Sequence, residues 1–123
     1  YSASKFAVRG FSIASAYELR PRGVHVSVVC PDLVDTPMLD LQLQHPEAVM
    51  SFSGSKNPLT PADVSQVLLQ VMQTKTIESA IPAGRGRLAK LGNVFPGLGA
   101  RLTDSLRRKG RGQWEALKKN RKL

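Results

Sequence analysis

The chain is 123 residues long, with 18 Lys/Arg against 9 Asp/Glu for a net charge of +9, and it holds one cysteine. No run reaches the 18 apolar residues of a membrane-crossing helix, which excludes such a span within it. One cysteine excludes an intramolecular disulfide and suits a reducing, cytoplasmic compartment. With no Cys/His cluster, no metal site is expected.

The chain begins with Tyr1-Ser2-Ala3-Ser4-Lys5. Residues four apart on a helix share a face, so the Tyr1 phenol and the Lys5 ammonium can act on one small volume. A phenol of ordinary pKa, about 10, is a poor acid–base catalyst at neutral pH. A cation about 5 Å away, at an effective dielectric of about 20, favours the phenolate by roughly 3 kcal/mol. The spacing alone is weak evidence, because Tyr and Lys four apart are common on ordinary helices.

No proline occurs from Ser2 to Arg20, and Phe6, Val8, Phe11, Ile13, Ala14, Tyr17 and Leu19 recur along it. That pattern predicts a helix with much of its surface buried. Gly10 inside it suggests close approach by another backbone, and Pro21-Arg22-Gly23 ends it. Val24–Cys30 is a β-branched run that predicts a strand stopped by Pro31. Helix, short loop and Val-rich strand make half of a βαβ unit, whose ligands sit beyond the carboxyl ends of the strands. That places Pro31–Pro37 at the site.

Met38–Pro58 mixes Leu39, Leu41, Leu43, Met50 and Phe52 with Gln, His, Ser and Gly, and reads as a mobile region or a short helix packed on the core. His45 within it reads as solvated. Thr60-Pro61-Ala62-Asp63 is a helix start, with Thr as N-cap and Pro at the first helical position. Val64, Val67, Leu68, Val71 and Met72 then predict a buried stripe along residues 61–74. A last strand is expected near Glu78–Pro82. Gly84-Arg85-Gly86 and Gly97-Leu98-Gly99 lack both the third glycine and the strand–turn–helix context of a dinucleotide loop.

Residues 101–123 hold nine Lys/Arg against Asp104 and Glu115, so +7 of the +9 lies in this tail. Leu98, Leu102 and Leu106, with Trp114 and Leu117, give it an amphipathic pattern. The first reading is a solvated C-terminal helix with a frayed basic end. Contact with anionic lipid and with nucleic acid phosphates stay open, the nucleic acid being the least expected.

Tyr1-x-x-x-Lys5, the strand, and Pro31-Asp32-Leu33-Val34-Asp35-Thr36-Pro37 together resemble the catalytic half of the short-chain dehydrogenase/reductase family. The resemblance runs to about residue 82. It implies an α/β fold, the C-terminal part of a Rossmann-like doubly wound parallel sheet that is incomplete in this chain. Residues 1–100 would be that half-domain and 101–123 a basic tail. It implies an NAD(P)-dependent oxidoreductase interconverting a carbonyl and an alcohol, with NADP or NAD as cofactor and a homodimer or tetramer as the assembly.

By resemblance Tyr1 is the general acid and base, and Lys5 lowers its pKa and binds the nicotinamide ribose. Pro31, Asp32, Leu33, Val34 and Thr36 form the cofactor loop, with Val34 meeting the carboxamide through its backbone. Residues 38–58 would be the substrate lid, with Met38, Leu39 and Leu41 facing an apolar carbonyl compound. Asp32 departs from the glycine usual after this proline. The Gly-rich loop and the carbonyl-polarising serine of the family are expected upstream, so the chain alone is expected to be inactive. The alternative is a truncated, non-catalytic binding module that uses its basic tail on an anionic membrane or on nucleic acid.

Overall fold

The computed structural model describes residues 2–94 and 96–121. Tyr1 lies outside the described residues, as do Phe95, Lys122 and Leu123. Helix α1, Ser2–Leu19, passes into a 3-10 turn, Arg20–Arg22. Gly23 closes that turn at φ 75°, its N–H donating to the Arg20 carbonyl at 3.0 Å. A side chain is disfavoured at such a φ, so glycine makes the stop clean.

Strand β1 is Val28–Pro31, not Val24–Cys30 as the β-branched run predicts. Its parallel partner β2, Glu78–Ile81, has only four residues, and the pairing runs from Val28↔Glu78 to Pro31↔Ile81. A strand extends only as far as its ladder, so Val24–Ser27 stays outside. Pro31 closes β1 from within it, and the Asp32 N–H then donates to the Ile81 carbonyl at 2.8 Å.

Between the strands lie helix α2 (Pro37–Leu43), a 3-10 segment (Pro46–Ser53) and helix α3 (Pro61–Thr74). The start of α3 is a capping box. Asp63 N–H donates to Thr60 Oγ1 at 3.1 Å, and Thr60 N–H donates to the Asp63 carboxylate at 2.8 Å, satisfying two otherwise orphaned donors. After β2 come α4 (Ala83–Val94) and α5 (Pro96–Asn120). Both Gly-x-Gly pairs sit inside these helices rather than after a strand. Among the described residues, no helix is long and apolar enough to cross a membrane.

The chain is therefore α/β, a parallel two-stranded sheet amid helices, in keeping with part of a Rossmann-like sheet. Its buried core lies beside the sheet. Leu33, Leu39, Leu43 and Phe52 cluster there, and Ala48, Trp114 and Leu117 pack against them. The region read as mobile thus supplies the centre of the core. Leu39 and Leu43 share one face of α2, and Phe52 meets them from the 3-10 segment. Trp114 and Leu117 of α5 close the top.

Two stripes read as buried are open. On α1 only Ala16 is buried, whereas Phe6, Phe11 and Tyr17 are exposed. On α3 only Val71 is buried, and Leu68 and Met72 are exposed. Gly10 meets no atom within 4 Å of where a Cβ would sit, so the close backbone approach expected there does not occur within the described chain.

Candidate active site

Helix α1, which carries Lys5, packs against β1, and the Asp32–Thr36 loop follows that strand. Arg9, midway along α1, donates from Nε to the Glu78 carboxylate at 2.8 Å, and Glu78 is level with Val28. Helix α1 runs toward the turn at Gly23 and β1 runs away from it. Lys5 sits four residues, about 6 Å along the helix axis, before Arg9 on α1. The loop Asp32–Thr36 leaves β1 at its carboxyl end. Lys5 is exposed on the first turns of α1.

The loop is held by backbone bonds on one side. Leu59 N–H donates to the Leu33 carbonyl at 2.8 Å, and Asp35 N–H donates to the Leu59 carbonyl at 2.7 Å. This is the isolated parallel bridge between Val34 and Leu59. In such a bridge the flanking residues, 33 and 35, make the bonds to Leu59. The N–H and C=O of Val34 itself then point to the opposite side. Val34 thereby presents one donor and one acceptor away from the chain that holds it. Thr36 Oγ1 approaches the Val34 carbonyl at 3.5 Å.

The Asp32 side chain is engaged within the chain. Its carboxylate accepts the Ser55 N–H at 3.1 Å, which ties the end of the 38–58 segment to the loop. Gly54 permits this, because a Cβ there would overlap the Asp32 carboxylate. Leu33 is buried in the core. Leu39 is 1% exposed, whereas Met38 and Leu41, at 53% and 54%, face outward. Of the three residues named for the lid, Leu39 is thus committed to packing. His45 is exposed, with Nδ1 3.2 Å from Glu47 Oε1.

Charged contacts invisible to local pattern reading surround this frame. Glu78 receives Arg9 and also Lys90 Nζ at 2.9 Å. The Arg9 hydrogen bond, helped by Lys90, holds the Glu78 carboxyl below its ordinary range. Burial, reinforced by the Glu78 charge, pushes the half-buried Cys30 thiol up, so Cys30 behaves as a small packing group. Arg121, just past α5, pairs with both Asp35 and Asp40. The partners of Arg9 and Arg121 in these contacts are 69 to 86 residues away in sequence.

Residues 1–47 match the family model of the short chain dehydrogenases. The 3-alpha-(or 20-beta)-hydroxysteroid dehydrogenase of Mycobacterium tuberculosis is 52% identical over 40 residues, 32% of this chain and 15% of that protein. A Streptomyces virginiae protein named as a monensin polyketide synthase ketoacyl reductase is 38% identical over 80 residues, 55% of this chain and 31% of it. The 3-ketodihydrosphingosine reductase of Dictyostelium discoideum is 34% identical over 70 residues, 56% of this chain and 21% of it. No solved structure matches the chain. Over residues 1–47 the chain is thus similar to the short-chain dehydrogenase/reductase family. It spans less than a third of the length of these curated relatives.

Proposed function

We propose that this chain carries the proton-transfer pair and the nicotinamide-contact loop of an NAD(P)-dependent oxidoreductase that interconverts a carbonyl and an alcohol. The observation that carries this reading is the outward-turned backbone of Val34 at the carboxyl end of β1. A primary carboxamide offers an acceptor oxygen and donor hydrogens, the complement of one peptide N–H and one C=O. NADP or NAD fits that pairing, and when bound it supplies the hydride. Thr36 would add a hydroxyl beside the carboxamide, and Pro31 would set the turn into the loop.

In carbonyl reduction, Tyr1 donates its phenolic proton to the carbonyl oxygen as the carbonyl carbon gains hydride. In alcohol oxidation it removes the hydroxyl proton. Lys5, four residues on, favours the phenolate left behind and hydrogen-bonds the ribose. Asp32 acts on the loop through Ser55, holding the 38–58 segment against it and helping to exclude water. Met38 and Leu41 face outward beside the loop and suit a ketone with hydrocarbon character. The relatives' names, which mention hydroxysteroids, ketoacyl groups and a ketosphingoid base, support the same class.

The open apolar faces of α1 and α3 support a larger sheet in the working protein, one that also binds the rest of the dinucleotide. A homodimer or tetramer in a reducing cytoplasm completes the reading. A binding module anchored by its tail is the weaker alternative. Trp114 and Leu117, the residues such a helix would insert in lipid, are occupied in the core.

The test is oxidation of NADPH and NADH, by the protein that carries this chain, against a panel of apolar ketones. Ketone-dependent oxidation with one of the two cofactors is expected. No turnover with either cofactor, over ketones and the corresponding alcohols, would overturn the reading.

A further inference from the structure

Helix α5 is seated tightly enough to act on the loop. At Gly110 the helix backbone lies against the 3-10 segment, where a Cβ would strike the Val49 carbonyl oxygen and come within 3.3 Å of Ser53 N. One turn on, Trp114 and Leu117 pack on Leu33, Leu39, Leu43 and Phe52. Lys118 lies over the Trp114 ring at 4.7 Å, and Arg121 N–H donates to the Leu117 carbonyl at 3.1 Å. The Arg121 side chain therefore leaves a fixed backbone.

Its two terminal nitrogens diverge, Nη2 to Asp35 and Nη1 to Asp40. Those carboxylates bracket the Thr36–Leu39 stretch. Asp35 belongs to the loop through its bond to Leu59, and Asp40 belongs to the first turn of α2. One guanidinium thus joins the end of the loop to the start of α2, spanning the peptide segment where the chain turns. Its planar fork fixes direction as well as distance, which a lysine ammonium does not.

We infer that Arg121 is a positioning residue, and that α5 is a strap which sets the Asp35–Pro37 segment through it. This rests on the reading of the loop as the nicotinamide contact. Thr36 is held because Asp35 before it and Asp40, four residues after it, are tied to one rigid point. With the strap loosened, the Leu59 N–H keeps its bond to the Leu33 carbonyl, while the Asp35 N–H bond to Leu59 opens more often and Thr36 and the start of α2 swing more freely.

The experiment compares the full chain with Arg121→Ala and Arg121→Lys by amide hydrogen exchange and by titration with NADPH and NADH in the protein that carries it. In Arg121→Ala, exchange at the Asp35 and Leu39 amides is expected to quicken about three- to tenfold, as for loss of a charge-assisted pair. Amides of α1 should be unchanged. Dinucleotide affinity should fall by a similar factor, and Arg121→Lys should restore part of both. Unchanged exchange at Asp35 and Leu39 would overturn the strap. Quickened exchange with unchanged affinity would leave the strap standing and overturn the loop as the nicotinamide contact.

Discussion

Gly110 and Gly112 sit two residues apart on one helix and make opposite demands. A Cβ on Gly112 meets nothing within 4 Å, whereas one on Gly110 overlaps the backbone of Val49. Gly112→Ala should therefore stabilise the chain by about 0.5–1 kcal/mol, the ordinary helix gain. Gly110→Ala gains the same term but must push α5 off the 3-10 segment. Overpacking of that kind costs about 1–3 kcal/mol, so a net loss is expected in chemical denaturation. Equal effects at the two positions would contradict the close seat. Glu78 makes a second residue-scale prediction. Its side chain is 14% exposed, and Arg9 is its better-buried partner. Glu78→Gln should cost about 1–3 kcal/mol at neutral pH, chiefly through the unpaired Arg9. Because the folded-state pKa is depressed, the carboxylate's contribution is complete above the unfolded value of about 4.3. It is lost as pH falls through the folded value. The gap between wild type and Glu78→Gln should then close in acid, and a gap that widens would contradict the ion pair.

At the scale of elements, local chemistry was legible wherever it acts locally. The stop at Gly23, the capping box at Thr60 and the order of helix, strand and Pro31–Pro37 loop all follow from neighbours in sequence. The length of β1 does not, because a strand is a property of a pair and β2 has only four residues to offer. Leu39, Leu43 and Phe52 read as lid residues for the same reason. Their partners Trp114 and Leu117 are more than sixty residues away, and no periodicity links the two stretches. Arg121 was legible only as one more charge in a basic tail. Its role comes from where α5 ends, and that is fixed by Gly110 and Trp114. The loop itself was legible in composition, but not the bridge to Leu59 that turns the Val34 backbone outward.

The whole molecule divides its surface unevenly. One side is closed, where the loop, α2, the 3-10 segment and α5 share a core. Elsewhere Phe6, Phe11 and Tyr17 of α1 are exposed, as are Leu68 and Met72 of α3. A parallel pair of strands with such faces is the geometry of a sheet that continues, since parallel sheets are ordinarily covered on both sides. On the function proposed above, this chain carries the proton-donating half of a dehydrogenase, with Tyr1 as its central residue. The direct measurement is Tyr1→Phe in the protein that carries the chain, following turnover and dinucleotide affinity together. Loss of a positioned general acid should lower kcat by about 100-fold or more, with affinity for NADPH or NADH changed less than about twofold. Turnover retained in Tyr1→Phe would contradict the account at its centre.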